Sequence, residues 1–126
     1  MTKSEILKMT GTQEEVDLVA TLMGWHKVRM PWGVLVWQDK ERKNLATCEH
    51  WNPFESWGDV ETVVEELNNR GLLVEIKSDI GYGSCTLYDK ANSSLHDTDV
   101  LDEEMFVEAD NVPTAICRAA LLTLEE

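Results

Sequence analysis

The sequence predicts an α/β fold of the α+β kind: an α/β/α sandwich, a mostly antiparallel sheet of hairpins flanked by about three helices. Capped helix starts precede apolar residues at helical spacing, at Thr12 and again at Ser56. Short runs rich in branched and aromatic residues come in pairs joined by turn residues. A proline at a first helical position opens a final apolar segment.

Residues 1–10 add at most a short turn, and the first convincing helix starts at Thr12. Thr12-Gln-Glu-Glu15 is a capping box, in which each end of the motif satisfies a free backbone donor. Val16, Val19, Ala20 and Met23 form its apolar stripe, and Gly24 supplies the stop because glycine adopts the left-handed conformation that ends helices. Trp25–Met30 reads as extended, Pro31-Trp-Gly33 as a turn, and Val34–Gln38 as the returning strand of a hairpin. The charged run Asp39–Asn44 is a solvated connection, and Leu45–Glu49 a further short strand.

The second helix is capped by Ser56, carries Val60, Val63, Val64 and Leu67 on one face and Glu61, Glu65 and Glu66 on the other, and ends at Asn68-Asn-Arg-Gly71. Leu72–Lys77 and Cys85–Tyr88 read as strands joined by the turn-rich Ser78–Ser84, a second hairpin. Residues 89–104 are polar and acidic without a usable period, which predicts a long loop that either moves or covers a pocket. Met105–Glu108 offers a last strand. Pro113 starts a final helix through Leu124, with Ile116, Ala119, Ala120 and Thr123 as its expected core face.

With 126 residues the chain fits one domain, 1–126, large enough to bury a core without disulfide or metal staples. The 24 acidic against 11 basic residues leave a net charge of −13, which repels a nucleic-acid backbone unless a local basic patch overcomes the field. The best basic cluster, Lys40, Arg42 and Lys43, is interrupted by Glu41. Direct nucleic-acid binding is therefore not expected, although an acidic surface fits a nucleic-acid mimic. Apolar runs such as Val34-Leu-Val-Trp37 are too short for a membrane span, and no apolar signal core opens the chain. The expected location is cytoplasmic. Cys48, Cys85 and Cys117 are an odd, widely spaced set, as expected of reduced core thiols rather than a disulfide framework. No second Cys or His pair accompanies Cys48-Glu-His50 at zinc spacing, so no metal site and no cofactor is expected.

The densest functional signal is Trp51-Asn-Pro-Phe-Glu-Ser-Trp-Gly-Asp-Val60, which packs large aromatic faces, a rigid proline and a helix start into ten residues. It reads either as a core corner under the helix or as a ligand surface. On the second reading Trp51, Asn52, Phe54, Ser56, Trp57, Tyr82 and Arg118 are the ligand-binding residues: the four aromatics stack a base, while Arg118 and the helix-start amides meet phosphate. Arg118, a full charge among small apolar residues, either offers a planar fork to a phosphate or carboxylate, or snorkels to solvent. Ile80-Gly-Tyr-Gly-Ser84 resembles half of a phosphate-binding glycine loop, but it lacks the following helix and lysine and is better explained as a hairpin turn. His26, His50 and His96 are scattered, and no nucleophile has a base and an orienting group beside it. No catalytic residue is expected.

Met23-Gly-Trp25, Trp51-Asn-Pro-Phe leading into Asp59-Val60, and Ala115-Ile-Cys-Arg-Ala-Ala-Leu121 together resemble the phage ABA sandwich domain family, small proteins of phages and prophages chiefly of Gram-positive bacteria. The resemblance runs from about Leu18 onward. It implies a helix, sheet, helix sandwich and a phage protein in the host bacterial cytoplasm; it brings no reaction or catalytic residue with it. The expected function is non-enzymatic: a counter-defence protein that sequesters a small anionic, nucleotide-derived host immune signal. The alternative is an acidic inhibitor that blocks a host protein through the 89–104 loop and the Glu-rich helix face. Five tryptophans are compatible with an interface between copies, a homo-oligomer.

Overall fold

The computed structural model describes residues 2–89 and 106–124. Helices α1 (Lys3–Ile6) and α2 (Gln13–Leu22) lead into strands β1 (His26–Arg29), β2 (Leu35–Gln38) and β3 (Asn44–Thr47). Helix α3 (Trp57–Asn69) is followed by β4 (Leu72–Asp79), β5 (Tyr82–Asp89), β6 (Phe106–Ala109) and helix α4 (Val112–Leu124). The strands form two antiparallel three-stranded sheets, ordered β1-β2-β3 and β4-β5-β6. The architecture is an α+β sandwich of the expected class, with its hairpins distributed over two sheets.

Local chemistry starts the helices where the sequence places them. Thr12 accepts from Glu15 N–H and the Glu15 side chain accepts from Thr12 N–H, closing the capping box, and Met23-Gly24 ends α2 with Gly24 at φ 84°. Ser56 caps α3 by accepting from Asp59 N–H. The N-terminal turn is a four-residue helix with a capping box of its own, Thr2 with Glu5, and it buries Ile6 and then Met9. Asp39, with its carboxylate accepting from Glu41 and Lys43 N–H, organises the charged turn between β2 and β3.

The second hairpin is longer than expected. Its strands pair from Leu72 with Asp89 to Asp79 with Tyr82, so the turn contracts from Ser78–Ser84 to Ile80-Gly81, with Gly81 at φ 69°. Gly83 is consequently a strand residue rather than a turn residue, and it is glycine because a β-carbon there would stand 2.3 Å from the backbone of Asn111 and Val112.

One buried cluster joins all layers. It runs from Ile6, Met9 and the α2 face through Trp25, Trp37, Trp51 and Phe54 to Val60, Val63 and Leu67 of α3, the inner face of the second sheet (Cys85, Leu87, Val107) and α4. Helix α4 lies across β5 and β6 and also packs against α1, α2 and α3. Embedded on nearly every side, it buries Val112 through Cys117 and Ala119 through Leu121. The expected face of Ile116, Ala119 and Ala120 is therefore only part of what it buries, and Thr123 is half-buried, with its hydroxyl donating to the Ala119 carbonyl. No helix among the described residues is long and apolar enough to cross a membrane.

Candidate functional site

The aromatic tract turns inward. Trp51 is 3% exposed and Phe54 0%, and Trp51 packs its ring 4.9 Å from Trp25 and 6.3 Å from Trp37. Asn52 uses its side-chain oxygen to accept from Phe54 N–H, while its own N–H donates to the Asp59 carboxylate. Ser56 is occupied as the α3 cap. Thr114 ties the tract to α4, its hydroxyl donating to the Phe54 carbonyl at 2.9 Å. Arg118 is committed too: Nε and Nη2 donate to the Met9 carbonyl at 2.9 and 2.6 Å, and Nη1 donates to the Glu108 carbonyl.

Of the seven expected contact residues, Trp51, Asn52, Phe54, Ser56 and Arg118 thus have structural work: the side chains of Asn52, Ser56 and Arg118 bond backbone groups, while the buried Trp51 and Phe54 rings pack in the core, Trp51 Nε1 without a partner among the described residues. Burial of the tract follows from its neighbours, since Trp51 packs against Trp25 and, edge-on, against Trp37, and Pro53 is itself buried. Trp57, at 52%, keeps an exposed ring on the first turn of α3, and Tyr82 is half-buried at the start of β5. Neither of these two, nor any of the other five, lines the two clefts found among the described residues.

Open concavities among the described residues lie elsewhere. A cleft of about 420 Å³ opens over the first sheet, lined by Gln13 of α2, Lys27 and Arg29 of β1, Gly33, Val34 and Leu35 of the hairpin, and Cys48 and Glu49. Lys27 and Arg29 are two residues apart on one strand, so the pleat aims both side chains to one face. Across the ladder they stand opposite Trp37 and Leu35. Lys27 is held by Asp17 at 2.7 Å and lies 5.5 Å from the Trp37 ring centroid, which fixes a cation at one end of the cleft. Among the described residues Arg29 makes one long contact, from Nη1 to the Gly33 carbonyl at 3.4 Å, and most of its fork has no partner there. Val34 and Leu35 keep exposed apolar surface on the floor, and Trp32, next to Gly33 on the hairpin turn, is 68% exposed. Cys48 is buried; burial pushes its thiol up and Asp17 adds to this, against the opposing charge of Lys27.

A second cleft, of about 400 Å³, lies between the β2–β3 turn and α3 and is lined by both signs of charge, with Lys40 and Lys43 against Asp39, Glu65 and Glu66. It offers no uniform field to a ligand. Burial also holds the other thiols protonated, Cys85 pushed up to about 12 and Cys117 well above its ordinary value. Among the described residues no three His, Cys, Asp or Glu side chains gather as metal ligands, and His96 lies outside those residues, as does the predicted acidic loop from residue 90.

The sequence reading missed Lys27 and Arg29. Their signal was present: two cations at strand spacing in a chain of net charge −13, followed at once by an exposed aromatic turn.

Among known proteins, no curated protein and no solved structure matches the chain. A family model described as the Phage ABA sandwich domain matches residues 17–121, spanning α2 to α4 and both sheets. The chain belongs to the phage ABA sandwich domain family.

Proposed function

We propose that this phage protein works by stoichiometric binding rather than catalysis, taking up a small nucleotide-derived anion in the cleft of the first hairpin and so withdrawing a host defence signal in the bacterial cytoplasm. The observation that carries the reading is the pairing of Lys27 and Arg29 on one face of an open cleft in an otherwise strongly acidic chain. Arg29 supplies a planar fork for a phosphate, Lys27 a fixed point charge, and Trp32 an exposed face on which a base stacks. This moves the expected ligand contacts from the Trp51 tract to the first hairpin. The negative field of the whole chain slows the approach of an anion but leaves local donors free to hold it.

Calorimetric titration with a panel of mono- and dinucleotides tests the reading. Saturable binding is expected, weakened about tenfold or more by Arg29→Ala, which removes charge-assisted hydrogen bonds. Trp51→Phe, a change inside the core, leaves the affinity unaltered. Absence of binding by every nucleotide, or equal binding by the Arg29 variant, overturns it. The second reading, an acidic inhibitor of a host protein, is supported by the exposed carboxylates Glu61 and Glu65 on α3 and by the apolar hairpin tip of Trp32, Val34 and Leu35.

A further inference from the structure

Strand β4 is the longest exposed edge in the described structure. It runs for eight residues, Leu72–Asp79, without proline, and pairs with β5 on one side and, among the described residues, with no strand on the other. An edge of this length offers a row of free backbone donors and acceptors, a template for a further strand.

The hairpin fixes which groups are free. Asp79 and Tyr82 flank a two-residue turn and so exchange backbone hydrogen bonds, and pairs along an antiparallel ladder alternate from there. Leu73, Glu75, Lys77 and Asp79 therefore direct their N–H and C=O groups to β5. Leu72, Val74, Ile76 and Ser78 direct theirs outward. Side chains alternate as well: Ile76 lies on the same face as its buried partner Cys85, yet it is 42% exposed because it stands at the uncovered edge.

We infer that β4 pairs antiparallel with β4 of a second copy of this chain about a two-fold axis at Ile76, joining the two β4-β5-β6 sheets into one of six strands. In this register Ile76 meets its own counterpart and exchanges both backbone bonds, while its exposed side chain gains an apolar neighbour. Glu75 stands opposite the partner subunit's Lys77, and Lys77 opposite the partner subunit's Glu75, so two ion pairs form on one face, each chain supplying the acid of one and the base of the other. Val74 meets the partner subunit's Ser78, and at the two ends Leu73 meets the partner subunit's Asp79.

Charge selects this register over its neighbours. Moving the axis to residue 75 sets Glu75 against itself; moving it to residue 77 sets Lys77 against itself and Glu75 against Asp79. Like charges directly opposite are destabilising, so both alternatives lose. Glu75 also accepts from the Tyr88 hydroxyl at 3.3 Å, which holds it on the outer face of the sheet where the pairing needs it.

Charge variants of the full chain test the pairing, read by sedimentation at roughly 0.15 M salt, where distant charges are screened. The unmodified protein is expected at twice the chain mass. Glu75→Lys and Lys77→Glu each replace two attractions by two repulsions and should raise the dimer dissociation constant about tenfold or more. The decisive step is to mix the two variants. One chain then presents lysine at both positions and the other presents glutamate at both, so opposite charges face each other again. A one-to-one heterodimer should return, which a misfolded variant could not form. A monomeric unmodified protein, single variants that dimerise as well as the original, or a mixture that stays monomeric while both variants keep cooperative thermal unfolding would each overturn the proposal.

Discussion

Arg118 illustrates how far a single side chain reaches in this fold. Its guanidinium collects the Met9 carbonyl from the N-terminal segment and the Glu108 carbonyl from β6, so one residue of α4 ties together parts of the chain 109 and 10 positions away. Burial lowers its pKa, with Asp110 and Glu15 opposing that shift, and the group stays charged because arginine starts so high. Replacing it with Ala leaves two carbonyls without their donor, and the expected cost is about 1–3 kcal/mol in chemical denaturation. Lys should recover only part of this, since an ammonium cannot give two fork-directed hydrogen bonds to Met9; equal stability of the Lys variant and the original would refute the fork argument. The sequence marks Arg118 as unusual through its apolar setting, but its partners lie too far along the chain for spacing to reveal. Trp51 and Phe54 pose the same difficulty: aromatic content announces a packed corner or a surface equally well, and only the opposing layers decide.

At the scale of elements, the helix starts are legible because they rest on contacts within four residues, Thr12 with Glu15 and Ser56 with Asp59. Strand lengths are less so. The second hairpin extends through Ser78 and Ser84, which look like turn residues, because the register with β5 and β6 outweighs their local preference. Gly83 makes the extension possible. There the inner face of β5 meets the start of α4, and the space left for a side chain is occupied by the backbone of Asn111 and Val112. Backbone on both sides cannot swing aside as a flexible side chain would. Gly83→Ala should therefore push α4 off β5 and destabilise the protein by about 3 kcal/mol or more. Denaturant unfolding provides the check, and a loss below about 1 kcal/mol would mean that the helix start shifts freely.

At the scale of the whole molecule, the described residues close around a core to which the N-terminal segment belongs, since Ile6 and Met9 are buried with α2, α3 and α4. Their attachment is electrostatic as well as apolar. The Glu15 carboxylate accepts from the N–H groups of Thr10, Gly11 and Thr12 at 3.2, 3.0 and 2.9 Å, fixing the link between α1 and α2. Burial alone would raise the pKa of Glu15, but the three backbone donors, with help from the Thr12 side chain, hold it below the ordinary value of 4.5. The unfolded chain therefore takes up this proton at higher pH than the folded one. Stability drawn from Glu15 is complete above the ordinary value and is lost as the pH falls through it to the folded pKa. Glu15→Gln should cost about 1 kcal/mol at neutral pH, because a neutral amide oxygen accepts less strongly than a carboxylate. In acid the difference between the two proteins should shrink toward zero, since protonation removes the same charge from the original. Hydrogen exchange resolves where the change acts: the amides of Thr10, Gly11 and Thr12 should exchange faster in the variant at neutral pH, with the β4–β5 ladder unaffected. A stability difference that persists undiminished in acid would assign the role of Glu15 to packing rather than to its charge.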